Sequence, residues 1–173
     1  MDFLFSPWRY RYLTEARTPV GQAADGCVLC AQLAAGDDRQ ALVVYRGRLA
    51  AVMLNRYPYT VGHLMVLPYA HCATLRTCGA EARHEIMELA AQGEAALEAE
   101  YHPEGLNVGV NLGAAAGAGI AGHLHLHVVP RWMGDANFIS VVGETRVLPE
   151  RLEDTYGRLE RAFAALQPAS GKV

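Results

Sequence analysis

The chain has 173 residues, of which 51% are apolar, and a net charge of −3 with neutral histidines. That length suits one domain with its own core, and that charge offers no basic footprint for duplex nucleic acid. No apolar run approaches a membrane span, and the start, MDFLFSPWRYRYL, lacks the charged and long apolar regions of a secretory leader, so a cytoplasmic protein without membrane partners is expected.

Residues 1–26 read as an irregular arm, with Trp8, Tyr10 and Tyr12 to pack on a surface. Cys27 and Cys30 form a C-x-x-C, whose spacing suits two thiolates on one metal ion. A redox pair shares that spacing but needs a βαβ context; here Gly26 precedes the pair and an Ala-rich helical stretch follows, which favours metal. ALVVYRG (Ala41–Gly47) and LAAVMLN (Leu49–Asn55) read as two strands joined by a turn, and HLMVLPY (His63–Tyr69) as a third stopped by Pro68. From Ala80 to Tyr101 the pattern is helical, with Ile86, Leu89, Ala90, Gly93 and Leu97 on one face. LNVGVN (Leu106–Asn111) is a fourth strand, followed by a loop of small residues. The fifth contains GHLHLHVVPRW and is ended by Pro130. Pro149 opens a last helix, to residue 167, with Leu152, Tyr156, Leu159, Phe163 and Leu166 along one side. Strands in short succession around one long helix argue α+β with an antiparallel sheet, in a single domain over residues 1–173.

On a strand, His123, His125 and His127 share one face and Leu124, Leu126 and Val128 the other. A solvated face, a chance tract or a nonspecific metal patch would explain isolated histidines; three in alternation point to chemistry. The glycines before them let backbone N–H groups approach an anion closely, which makes Gly117 and Gly119 candidates to cradle phosphate. A neutral imidazole is nucleophilic near pH 7, and its neighbours can donate to oxygens as charge develops. Together these suggest nucleotidyl transfer through a phosphorus–nitrogen bond.

HLHLHVV resembles the signature of the histidine-triad (HIT) superfamily, and SPWRYRYL, GCVLC, LNRYPYTVGHLMVLPYAH, VGVNLG and HVVPRWMGDANF resemble it in the same order. PWRY and PRWMGDANF are most similar to the bacterial branch linked to diadenosine tetraphosphate phosphorylases and hydrolases. The resemblance implies a HIT-like fold, with a five-stranded antiparallel sheet, one long helix and a C-terminal helix, paired as a two-fold homodimer. It implies cleavage of dinucleoside polyphosphates, with an adenine dinucleotide as substrate and no organic cofactor. His125 matches the nucleophile and His127 the residue that contacts phosphate near the leaving group. Asn111 matches a residue that holds the nucleotide, and Asn55 a ribose-side contact. A turn or cap is the plainer reading of each asparagine. In zinc-bearing members the ligands match Cys27, Cys30, His71 and His123, a closed and therefore structural site; a set using Cys72 or Cys78 competes, although those two read better as ordinary thiols. Members commonly carry Ser, Thr or Gln shortly before the first triad histidine, whereas Gly113–Gly122 offers no hydroxyl or amide side chain. Other nucleotidyl transfer, phosphoramidate hydrolysis, a nucleotide-binding regulator and a zinc-stabilised interaction module remain as alternatives.

Overall fold

A computed structural model describes residues 26–136 and 149–166. In chain order it has helices α1 (Val28–Ala34) and α2 (Asp38–Ala41), strands β1 (Val43–Arg46), β2 (Ala50–Leu54) and β3 (Leu64–Pro68), helix α3 (Ala80–Tyr101), strand β4 (Gly105–Val110), a short 3-10 turn (Ala114–Ala116), strand β5 (Leu126–Arg131) and helix α4 (Leu152–Leu166). The expected arm falls almost wholly outside the described residues. No described helix is long and apolar enough to cross a membrane.

The five strands form one sheet in the order β1-β2-β3-β5-β4, every neighbouring pair antiparallel. Its two faces bury different sets. Val52, Leu54, Leu64, Val66, Leu126 and Val128 meet α3 and α4 through Ile86, Leu89, Leu97, Leu159 and Phe163. Met53, Met65 and Leu67 meet α1 through Leu29 and Leu33 on the other side. Covered on both faces, β2 and β3 are continuously apolar instead of alternating. The expected face of α3 is the buried one. On α4, Tyr156, Leu159 and Phe163 are buried, while Leu166 is exposed.

Strand ends elsewhere shift by one or two residues, with Ala41 in α2 rather than in β1, and three further boundaries, at β5 and α4, differ from expectation. β5 begins at Leu126, so His123 and His125 lie in its lead-in, where the Leu124 N–H donates to the Cys72 carbonyl at 2.6 Å rather than to β3. The alternation persists all the same, because Leu124 joins Leu126 and Val128 in the helix-side core. Pro130 does not end β5, which runs to Arg131. β3 pairs with β5 only as far as Val128, so the missing proline N–H faces a side with no strand, and the Pro130 carbonyl there accepts from the Thr60 hydroxyl at 2.9 Å. Pro149 does not open α4. The Arg151 carbonyl accepts from the first-turn N–H groups of Asp154 and Thr155, and the helix starts at Leu152.

Candidate active site and metal centre

The sheet face opposite α3 carries the imidazoles. His123 and His125 are buried, and His127 is half-buried. His125 Nδ1 lies 2.7 Å from the carbonyl oxygen of His123. A carbonyl only accepts, so this nitrogen carries the proton, and the lone pair is left on Nε2. Burial pushes His125 below the ordinary histidine range and so favours the neutral ring. A neutral ring with its lone pair fixed on one nitrogen is prepared for attack.

A second chain of bonds ends at His127. The Tyr59 N–H donates to His63 Nδ1 at 3.1 Å, and His63 Nε2 lies 2.9 Å from His127 Nδ1. Since His63 Nδ1 accepts, Nε2 bears the hydrogen and donates to His127 Nδ1. The proton of neutral His127 therefore sits on its Nε2. Burial, and then neighbouring His125, push His127 down to about 4, so the ring is neutral at physiological pH. The turn that delivers His63 needs Gly62, with φ +77° and the Leu97 side chain 2.8 Å from where a Cβ would stand.

His63 was not among the residues singled out from the sequence. Its signal was a polar residue opening a wholly apolar strand, which when fully buried must have partners. Asn55 sits behind it: its Oδ1 accepts from the Tyr57 N–H at 2.9 Å, and its Nδ2 lies 3.5 Å from His63 Nδ1. The asparagine thus shapes the β2–β3 loop, as the turn reading has it. Asn111 lies on the imidazole face just beyond β4, its Nδ2 4.0 Å from where a Gly117 Cβ would stand. The Gly117 N–H is used within the loop, donating to Ala114 at 3.0 Å. The amides of exposed Gly119 and of 120–122 donate to no described residue, which leaves them available to an anion.

Cys27, Cys30, His71 and His123 converge, with ligand atoms all within 4.8 Å of one another. Cys30 Sγ lies 3.3 Å from both His71 Nδ1 and His123 Nδ1, and Cys27 Sγ 3.5 Å from His123 Nδ1. Ligands around tetrahedral zinc at bond lengths of about 2.0–2.3 Å stand roughly 3.3–3.8 Å apart, so the spacing fits. The tautomer fits too, because His123 Nε2 donates to the Pro68 carbonyl at 2.9 Å and its Nδ1 lone pair faces the sulfurs. Burial, and then the Cys27 thiol, push Cys30 up to about 11; a divalent cation would instead draw off the protons. Cys72 and Cys78 stand outside this cluster, both buried in the helix-side core.

The HIT domain family matches residues 37–133. The AP-4-A phosphorylase of Mycobacterium tuberculosis is 42% identical over 165 residues, covering 93% of this chain and 84% of that protein. The bis(5'-nucleosyl)-tetraphosphatase (asymmetrical) of Schizosaccharomyces pombe is 26% identical over 121 residues, covering 70% and 63%. A zinc-bound histidine triad family protein from Mycobacterium smegmatis superposes with a TM-score of 0.67 at 29% identity, covering 83% of this chain and 97% of that one. With the triad, its lead-in and the surrounding sheet all inside the matched span, the chain belongs to the HIT domain family.

Proposed function

We propose that this HIT-domain enzyme cleaves dinucleoside polyphosphates through His125. The Nε2 lone pair forms a bond to the α-phosphorus while the bond from that phosphorus to the bridging oxygen breaks, releasing a nucleoside polyphosphate. Phosphate or water then attacks the same phosphorus and frees His125, giving a nucleoside diphosphate or monophosphate. The observation that carries this reading is the 2.7 Å contact from His125 Nδ1 to the His123 carbonyl, which commits one ring proton and aims the other nitrogen. His127 offers its Nε2–H to the oxygens on the departing side, where the preceding loop has no hydroxyl to give. Asn111 and the amides at Gly119 and 120–122 hold the nucleotide's phosphate, and Asn55 acts by holding His63. The greater likeness to a phosphorylase favours phosphate as the second nucleophile.

Cys27, Cys30, His71 and His123 would hold a structural zinc ion, which pins α1 against the residue whose carbonyl orients His125. The outer edge of β4, with exposed Val108, is where a second copy pairs. Placement in the reducing cytoplasm agrees with thiolate ligands at Cys27 and Cys30.

The test is chromatography of the products from diadenosine tetraphosphate, with and without inorganic phosphate, for wild type and His125→Asn. ATP and ADP formed only with phosphate is expected; ATP and AMP without it would make the enzyme a hydrolase. The variant should lose on the order of 10⁴ in kcat. Retention of more than about a tenth of the rate, a loss below about 1.4 kcal/mol, would remove His125 as nucleophile.

A further inference from the structure

Beyond His127 the imidazole face opens into a groove of about 800 Å³ along β4 and β5. Positions 107, 109 and 111 share this face with 127, 129 and 131. The register sets Gly109 across from His127, Asn107 across from Val129 and Gly105 across from Arg131. His127 lines the near end and Arg131 the far end, so the groove leads away from His125; Tyr59 and Trp132 contribute walls. Its floor opposite His127 is bare backbone, since a Cβ built at Gly109 meets nothing within 4 Å. Glycine weakens a strand, and with no side chain crowding it here its use lies in letting something approach the backbone closely.

Arg131 is committed rather than free. Its Nε and Nη2 donate to Asp135 at 2.6 and 2.8 Å, and its Nη1 donates to Asn107 Oδ1 at 2.8 Å. Asp135 matches the guanidinium charge, so the arginine acts here as a clamp rather than as an open cation. A guanidinium only donates, which fixes the carboxamide oxygen of Asn107 towards it and turns the NH₂ away. Asn107 Nδ2 donates to no described residue. It stands two strand positions from the level of His127, about 7 Å, beyond the reach of a leaving amine and within that of an oligophosphate.

We propose that Asn107 reads the departing half of the substrate, donating from Nδ2 to a phosphate or ribose oxygen of the leaving nucleoside polyphosphate, with Arg131 and Asp135 as its positioning residues. This rests on the His125 reading and adds how a long leaving group is distinguished from a short one. The measurement is the ratio of kcat/KM for diadenosine tetraphosphate to that for adenosine 5'-phosphoramidate, which delivers the same adenylyl group with a small leaving group. Asn107→Ala should lower that ratio about tenfold, the loss of one hydrogen bond to a charged or polar oxygen. Gly109→Ala should lower it as well by raising the floor, and the added Cβ meets no described neighbour within 4 Å. Arg131→Lys cannot hold Asp135 and Asn107 together; it should lower the ratio in the wild-type background and lower it no further in Asn107→Ala. Wild type that cleaves neither compound overturns the His125 reading and this one with it. Wild type that cleaves both, with the ratio held within about twofold in every variant, overturns the Asn107 contact alone.

Discussion

The proton of His127 is placed from the protein interior. The Tyr59 group at His63 Nδ1 is a backbone N–H, which can only donate, so His63 Nδ1 accepts, His127 Nδ1 accepts from His63, and the remaining hydrogen of neutral His127 sits on Nε2. His63→Leu should remove that control and let either His127 nitrogen carry the hydrogen. A fall in kcat of about 10- to 100-fold is expected, the cost of roughly 1.5–3 kcal/mol at a hydrogen bond carrying charge in the transition state, with KM changed less. His63→Gln can still donate through its amide and should recover part of the rate. Equal rates for His63→Leu and His63→Gln would reduce His63 to a packing residue. The triad itself was legible because its members lie two residues apart and their alternation is visible locally. His63 was not, because its partner lies 64 positions away and only the paired strands bring the two rings together.

At the scale of elements, the long α3 was the most legible: its apolar spacing sustains a full 22 residues, and the structure has the same limits. β5 was misjudged at its start because alternation reports which way side chains face, not whether the backbone has found a partner strand. α1 is a different case. Seven residues without a side-chain cap are too few to persist alone; Leu29 and Leu33 anchor it on the sheet, and Cys27 and Cys30 anchor it to His71 and His123. Cys27→Ser should therefore drop bound zinc well below one ion per chain by elemental analysis. It should also lower the melting temperature by about 6–12 °C, corresponding to roughly 3 kcal/mol in a chain of this size. Unchanged melting in a verified metal-free preparation would count against a structural ion.

For the whole molecule, the sheet is asymmetric. β1 lies beside β2 under the helices, whereas β4 stands at the opposite edge with most of its residues exposed. An exposed strand edge invites a further strand, and pairing two copies there would extend the sheet across both. Sedimentation equilibrium at micromolar concentration should give twice the 18.8 kDa chain mass, and Val108→Asp should shift the population towards the single chain. A wild-type protein sedimenting only at the single-chain mass would exclude the dimer. Composition could not single out this edge, because Val108 reads as an ordinary strand residue until the order of the strands puts β4 at the margin of the sheet.

The Cys/His cluster also bears on the order in which the chain acquires its structure. Its sulfurs come from residues 27 and 30, and His123 lies 96 and 93 positions later, respectively. The chain between them must be drawn into a loop before the cluster can close, at a cost that grows slowly with loop length but has to be met before the contacts form. During synthesis the C-x-x-C emerges first and waits for most of the sheet to follow. The ring that completes the cluster belongs to the residue whose carbonyl aims His125. Under the proposed roles, the residue that aims His125 is therefore anchored through its ring only once the cluster has closed.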